Sequence, residues 1–173
     1  MKLIKLLANL GYGSRKEVQA MIRSGWVKDA HGQVIKDGAA VTHEEVRFRE
    51  EPIDPPAPLT IILNKPDGFT CSTDDPGETI YDLLPERFAH RKPGLNSIGR
   101  LDKDTTGLLL MTDDGKLLHR IIHPKHGCLK VYHATLDRPL GGHEAEQFAS
   151  GTFQLKGDSK PLLPAPLEVL GDM

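Results

Sequence analysis

The sequence predicts an α+β fold, because a segment with helix signals precedes a segment with strand signals. Residues 14–25 combine a helix start with apolar residues at helical spacing. Residues 108–111 are four consecutive apolar residues between a glycine and an Asp-Asp-Gly turn, which predicts a short strand buried on both faces. Between them, residues 50–58 contain four prolines and no periodicity. We therefore expect a small module at residues 1–50, an extended linker at 51–58 and a larger domain at 59–173.

The composition is that of a globular protein. Of its 173 residues, 38% are hydrophobic and 27% are charged, and no run of eighteen apolar residues exists. The first ten residues lack the long apolar core of a signal peptide. The two cysteines, Cys71 and Cys128, give no disulfide framework and are expected to be reduced thiols. These features predict a cytoplasmic protein that is not associated with a membrane.

The net charge of −2 conceals a strong segregation of charge along the chain. Residues 1–36 carry seven Lys or Arg against two acids, and residues 87–130 carry nine against four. Residues 50–86 carry nine acids and a single Lys. Two basic surfaces of this kind are suited to flank RNA while the acidic segment faces away. Charge alone favours equally a solvated surface that has no partner.

The small module is expected to contain two helices followed by short strands. Ser14 and Glu17 have the spacing of a capping box, so a helix should begin there and end near Gly25. Val18, Met21 and Ile22 are expected to form its buried face. Its basic face is expected to be formed by Arg15, Lys16 and Arg23. A first helix should precede Gly11, and short strands should include Val27, Val34, Val41 and Val46.

The larger domain is expected to mix strands and helices. Strands are predicted at residues 59–63, 69–71, 108–111, 130–136 and 167–170. Helices are predicted at residues 116–122 and 144–149, together with a short one that Thr79 caps and Pro85 ends. Helix 116–122 should turn Leu117, Leu118, Ile121 and Ile122 inward.

One long motif resembles a known family. The segments Gly99-Arg100-Leu101-Asp102, Asp104-Thr105, Gly107-Leu108-Leu109-Leu110 and Thr112-Asp113-Asp114-Gly115 resemble the signature of the ribosomal pseudouridine synthases. The upstream segments Leu63-Asn64-Lys65-Pro66, Gly68 and Cys71-Ser72-Thr73-Asp74-Asp75-Pro76 are similar to the branch that modifies 16S rRNA. The resemblance implies a mainly antiparallel sheet and an isomerase that converts one uridine of 16S rRNA to pseudouridine.

The resemblance also implies roles for individual residues. Asp102 matches the catalytic aspartate, which starts the reaction by attacking ribose carbon 1′, by adding to base carbon 6 or by removing a ribose proton. No metal or organic cofactor is implied. Arg100 resembles the arginine that pairs with this aspartate or enters the RNA beside the displaced base. Tyr132 matches the tyrosine that stacks on the uracil and assists proton removal from carbon 5.

RNA contacts are expected on both parts of the chain. The first fifty residues resemble the alpha-L RNA-binding module, with Lys2-Leu3-Ile4-Lys5 in place of its usual Arg-Leu-Asp-Lys opening. This likeness implies that Arg15, Lys16 and Arg23 contact RNA; a generic helical cap is the alternative. The target base must be flipped out to react, and candidates for phosphate contacts around it are Lys65, Arg91, Lys92, Arg120 and Lys125, with a solvated surface charge as the alternative for each. Lys130 is expected either to meet a phosphate or to cover the edge of its strand.

Several alternatives stay open at this point. Zinc ligation by His119, His123, His126 and Cys128 has the right residue types, as does magnesium ligation by Asp102, Asp104, Asp113 and Asp114. The core signature also fits a synthase that acts on 23S rRNA. The family's catalytic domain continues with a basic helix and apolar strands that have no counterpart here, so a truncated, inactive RNA-binding protein is a further alternative. The expected partner is ribosomal RNA or a small-subunit assembly intermediate, bound by a monomer.

Overall fold

The structure is a computed structural model that describes residues 1–73 and 75–171 and divides into two compact units, Met1–Cys128 and Leu129–Met173. The α-helices are α1 (Leu3–Asn9), α2 (Arg15–Arg23), α3 (Gly115–Ile122) and α4 (Glu144–Ser150). The strands are β1 (Val27–Lys28), β2 (Arg47–Phe48), β3 (Glu51–Pro52), β4 (Thr60–Lys65), β5 (Asn96–Ile98) and β6 (Gly107–Thr112). Asp74 of the quoted motif and the last two residues lie outside the described residues. The predicted α+β fold with antiparallel sheets is confirmed.

The N-terminal module packs α1 and α2 against a small antiparallel sheet in the order β1-β2-β3. The capping box is formed as predicted, because the Ser14 side chain accepts from the Glu17 amide and the Glu17 carboxylate accepts from the Ser14 amide. Val18 and Ile22 are buried, whereas Arg15, Lys16 and Arg23 are exposed. The core of the module consists of Leu3, Leu6, Leu7, Leu10, Val18, Ile22, Val27, Val41, Val46 and Ile53.

The strands predicted around Val34, Val41 and Val46 are wrong in part. Val34 makes only a single bridge to Lys28, and neither Val41 nor Val46 lies in a strand. A turn explains the loss, because the Asp29 carboxylate accepts the amides of two residues within four positions of it. Val41 and Val46 are buried from irregular backbone instead.

The proline-rich segment is not a free linker along its whole length. Glu51–Pro52 is β3, which pairs with β2, and Ile53 is buried in the core of the module. Further along, Asp54 forms an ion pair with Arg87. The predicted domain limits at residues 50, 58 and 173 stay a prediction.

The second sheet has the order β4-β6-β5 and is antiparallel throughout. Thr60 at one end of β4 opposes Thr112, and Lys65 at the other end opposes Gly107. Ile80, Leu95, Leu109 and Met111 form the buried core beneath it. This register sets the end of β4 directly beside the loop that enters β6.

Strand β6 is buried on one face only, which corrects the prediction that both faces are covered. Leu109 and Met111 are buried, but Leu108 is 68% exposed. On the neighbouring strand, Ile62 is 73% exposed. The cause is the sheet type: an antiparallel sheet has its helices and loops on one side, whereas the continuous apolar run indicated a fully enclosed strand.

Two further predictions in this domain are wrong. The predicted strand at residues 69–71 is reduced to a single parallel bridge between Thr70 and Thr79. The predicted helix after Thr79 is a pair of turns, although the Thr79 amide and hydroxyl both donate to the Asp82 carboxylate as a helix cap would. Pro85 follows too closely for a helix to develop from these turns.

Helix α3 is formed as predicted, and Asp114 caps it by accepting from the amides of Lys116 and Leu117. Ile122 is 51% exposed rather than inward. None of the described helices has the length and apolar character needed to cross a bilayer.

In the second unit, α4 confirms the helix predicted at residues 144–149. The strands predicted at residues 130–136 and 167–170 are absent from the described backbone. No ladder of backbone hydrogen bonds forms at either segment within the described residues, and alternating side chains alone do not stabilise a strand.

We predict that Ser14→Ala lowers the free energy of unfolding by about 1 kcal/mol at neutral pH, because α2 loses its N-cap. Hydrogen bonds from the Ser14 side chain and backbone lower the pKa of the Glu17 carboxyl. A carboxyl whose pKa is lower in the folded state than in the unfolded state stabilises the fold at pH values above its unfolded-state pKa. This contribution disappears as the pH falls through the folded-state pKa. The difference in free energy of unfolding between the parent and Ser14→Ala should therefore become smaller at acidic pH. Urea unfolding at several pH values measures it, with Ser24→Ala at the exposed end of α2 as control; a deficit that widens in acid contradicts the assignment.

Candidate active site

Asp102 lies in the loop of residues 99–106, which joins β5 to β6. The loop forms one wall of a cavity of about 190 Å³. The cavity is lined by Thr70, Cys71, Ser72, Asp75, Arg100, Leu101, Asp102 and Lys103. Asp102 is exposed, so its carboxylate is accessible to a molecule that enters this cavity.

Buried contacts hold the loop on both sides of Asp102. Leu101, directly before it, packs against the core beneath the second sheet, and its amide lies 3.4 Å from the Cys71 thiol sulfur. The Asp102 carbonyl accepts from the Thr105 amide at 3.1 Å, and the Lys103 carbonyl accepts from the Gly68 amide at 2.9 Å. The backbone at Asp102 is therefore fixed while its side chain stays accessible.

Lys65 provides a further restraint on this loop. Its side chain is completely buried, and the Nζ atom lies 3.1, 3.0 and 2.7 Å from the carbonyl oxygens of Pro66, Lys103 and Thr105. An ammonium group has three protons, so each of them has a carbonyl acceptor. We call this arrangement the Lys65 clamp. It ties the end of β4 to the backbone on the C-terminal side of Asp102.

The clamp corrects the prediction that Lys65 contacts RNA phosphate. A fully buried ammonium whose protons are all donated to carbonyls is not available to a phosphate on the surface. The sequence signal for the correct role was weak. Lys65 ends an apolar strand and precedes a proline, which is compatible with a solvated side chain as well as with a buried one.

Arg100 lines the same cavity as Asp102, and both residues are exposed. Among the described residues, no ion pair joins the Arg100 guanidinium to the Asp102 carboxylate. The structure thus brings the two predicted catalytic residues to one cavity and leaves each side chain accessible. The direct pairing implied by the resemblance stays a prediction.

A buried ion pair holds the opposite end of β6. The Arg91 guanidinium lies 3.3 Å from the Asp113 carboxylate, and the two side chains are 2% and 0% exposed. Arg91 also donates to the Pro55 carbonyl at 2.9 Å, and Asp113 accepts from the Leu59 amide at 2.6 Å. The prediction that Arg91 contacts phosphate is therefore wrong, because the pair connects β6 to the proline-rich segment.

Two of the four aspartates considered as magnesium ligands are held in other contacts. Asp113 is occupied by the ion pair and Asp114 by the cap of α3, so neither carboxylate is directed to an open site. The rings of His119, His123 and His126 lie with centroids 4.4 to 5.9 Å apart. Within the described residues, no three His, Cys, Asp or Glu side chains converge as a metal site requires.

The other predicted site residues are exposed. Arg15, Lys16 and Arg23 lie on the solvent side of α2. Tyr132 is 84% exposed and, like Lys130, belongs to the second compact unit. The roles of Tyr132 and Lys130 stay predictions.

Sequence reasoning gave no role to Thr70, whose hydroxyl is buried in the cavity wall without a hydrogen-bond partner among the described residues. No local motif marks Thr70 in the sequence, so only the structure shows its position in the cavity wall.

We predict that Lys65→Met lowers the free energy of unfolding by about 3 kcal/mol, because three carbonyl groups lose the buried ammonium that donates to them while the side-chain volume is kept. Urea unfolding compares it with Lys116→Met, which removes the same charge from an exposed position on α3. An unfolding midpoint for Lys65→Met equal to that of the control would show that the clamp contributes nothing to stability.

Comparison with known proteins agrees with this architecture. Residues 59–161 match the family described as RNA pseudouridylate synthase. The ribosomal small subunit pseudouridine synthase A of Yersinia pestis is 41% identical over 174 residues, which cover 98% of this chain and 72% of that protein. The protein of the same name from Escherichia coli K12 is 40% identical, with 98% and 73% covered.

A solved structure is also similar. A crystal structure described as a pseudouridylate synthase has a TM-score of 0.52 and 35% sequence identity, and the match covers 99% of this chain and 74% of that one. The family match spans more than half of the chain. The two relatives are 41% and 40% identical to the chain, which is high enough to show a shared family. The chain belongs to the RNA pseudouridylate synthase family.

Proposed function

We propose that this protein isomerises a uridine of 16S rRNA to pseudouridine, with the Asp102 carboxylate as the catalytic group. The observation that carries the proposal is an accessible carboxylate on a loop fixed by the Lys65 clamp, at the wall of an open cavity. The names of the similar proteins, which refer to the ribosomal small subunit, support 16S rRNA as the substrate.

The reaction requires few catalytic groups. The bond between ribose carbon 1′ and base nitrogen 1 breaks, the uracil turns, and carbon 1′ bonds to carbon 5, which loses its proton while nitrogen 1 gains one. One carboxylate of fixed position is sufficient to start this sequence, whether it attacks carbon 1′, adds to carbon 6 or removes a ribose proton. The target base must leave the RNA stack to meet Asp102, so we expect base flipping.

Three further residues have proposed roles in the reaction. Arg100 lines the cavity beside Asp102, which suits a guanidinium that enters the RNA at the place of the displaced base. Tyr132 would stack on the uracil and assist proton removal from carbon 5, and Lys130 would meet a phosphate. We further propose that the protein works in the cytoplasm on a small-subunit assembly intermediate.

The N-terminal module is proposed to dock on the phosphate backbone through α2. Arg15, Lys16 and Arg23 are exposed, and no ion pair occupies them within the described residues. Guanidinium and ammonium groups free of acidic partners displace counterions from RNA, which gives affinity without sequence selectivity.

We predict that Asp102→Asn abolishes tritium release from 16S rRNA labelled at uridine carbon 5, with a loss of more than about 10²-fold, because the amide can neither attack nor accept a proton. Asp104→Asn is the matched control, since Asp104 is an exposed carboxylate in the same loop that does not line the cavity.

Three outcomes would replace this proposal. RNA binding without release by the parent chain would favour the inactive RNA-binding protein. Release from 23S rRNA alone would favour the other ribosomal substrate. Equal activity of Asp102→Asn and the parent would remove Asp102 from the chemistry.

Replacing Arg15, Lys16 and Arg23 by glutamine should weaken RNA binding and reduce the slope of log K against log salt concentration by about 2 to 3, because three phosphate contacts are lost. The control removes the same charge from scattered exposed positions, Lys5, Lys36 and Lys160. If both triple variants lower the slope equally, α2 is not the docking element.

A further inference from the structure

A second cavity of about 390 Å³ lies in the first unit and shares no residue with the Asp102 cavity. It is lined by Tyr12, Phe48, Arg49, Glu51, Pro52 and Arg87. We propose that this cavity binds an unpaired nucleotide of RNA by base stacking, an inference that rests on the proposed RNA substrate. We call it the aromatic pocket.

Aromatic rings form one wall of the pocket. The rings of Tyr12 and Phe48 lie with centroids 4.8 Å apart at 55°, and the Trp26 ring meets Phe48 edge-on at 6.2 Å. Tyr12 and Phe48 are half-buried, so the rings are held by packing while part of their surface borders the cavity. Every base has a π-face that stacks on such rings, whatever its sequence.

Two arginines lie beside the rings. The Arg49 guanidinium lies 4.0 Å from the centroid of the Trp26 ring, and no carboxylate pairs with it within the described residues. Arg87 is anchored by the Asp54 carboxylate and lies 5.6 Å from the centroid of the Tyr12 ring. An unpaired guanidinium next to stacking rings suits the phosphate of a nucleotide whose base lies against the wall.

Glu51 contributes a hydrogen-bond acceptor to the pocket. Glu51 lines the cavity, and no hydrogen bond or ion pair occupies its carboxylate in the part of the chain that the structure describes. A carboxylate accepts only, so it suits the N–H groups on the edge of a base and repels a phosphate. In the proposed complex, Glu51 accepts from the base edge and Arg49 meets the phosphate.

The backbone is strained at the edge of the pocket. Arg49 and Glu50 form the two-residue turn between β2 and β3, with φ angles of +50° and +74°. Turns of this kind favour Asn-Gly, because side chains oppose positive φ. The strained turn places Arg49 over Trp26, and Glu50 pairs with Lys28 at 2.5 Å. Strain that a glycine would relieve is characteristic of positions whose side chain has a function.

The experiment uses the full chain and its single tryptophan, Trp26, as a fluorescent reporter. The probes are single-stranded pentaadenylate and pentauridylate, and abasic oligomers of the same length and charge. We expect each base-containing oligomer to bind at least about tenfold more tightly than its abasic counterpart, because stacking adds to the phosphate contacts. Anisotropy of labelled oligomers provides a second readout that does not depend on Trp26.

Phe48→Leu should abolish the preference for bases and leave the affinity for the abasic oligomer unchanged. Phe153→Leu, at a partly exposed ring in the second unit, is the control and should keep the preference. Circular dichroism verifies that both variants are folded, and Arg49→Gln, which weakens both kinds of oligomer, repeats the test at an exposed position.

Equal binding of base-containing and abasic oligomers by the parent chain would overturn the proposal, as would an unchanged preference in Phe48→Leu. Adenosine monophosphate that binds as tightly as pentaadenylate would identify a site for a free nucleotide and overturn the RNA assignment. The proposed function fails separately: base preference without tritium release rejects only the catalytic proposal, and release without base preference rejects only the aromatic pocket.

Discussion

The arrangement of the catalytic domain depends on one buried charge. The Lys65 ammonium is removed completely from water, which costs several kcal/mol unless polar groups replace the lost hydration. Three carbonyl dipoles converge on it and supply that replacement. Because two of these carbonyls belong to the loop of Asp102, the loop cannot move away without leaving the charge uncompensated. The energetic cost of burial thus becomes a restraint on the position of a carboxylate.

The ion pair of Arg91 and Asp113 acts in the same way at the other end of β6. It connects that strand to Pro55 and Leu59, just after the chain leaves the N-terminal module. The sheet is therefore anchored at both ends by two cations, Lys65 and Arg91, that were candidates for phosphate contacts in the sequence. Two bases of the chain that looked available to phosphate are structural. The exposed bases of α2, Arg100, Lys130 and Arg49 of the aromatic pocket keep the RNA contacts that we propose for them.

Local signals in the sequence were sufficient for the elements whose formation is local. The capping box of Ser14 and Glu17 placed α2, and the Asp-Asp-Gly turn placed the end of β6 and the start of α3. Asp102 and Arg100 were located by a long motif, and the structure brings both to one cavity.

What the sequence did not predict depends on contacts between distant residues. Lys65 and Thr105 are forty positions apart, and nothing near either residue marks the bond between them. Leu108 was assigned to a covered face because an apolar run does not reveal on which side the helices pack. The strand predicted at residues 130–136 failed because strands need partners, which periodicity cannot supply. The aromatic pocket was missed for the same reason, since Tyr12, Phe48 and Arg87 come from three separate segments.

The most direct test of this account is the steady-state rate of Lys65→Met on 16S rRNA, at a temperature at which circular dichroism shows parent and variant to be folded. If the clamp positions Asp102 for the reaction, kcat should fall by about 10²-fold while KM for RNA changes little, because a displacement of about 1 Å is enough to disrupt a reacting geometry. A folded Lys65→Met protein with the kcat of the parent would contradict the account and leave the clamp a role in stability alone.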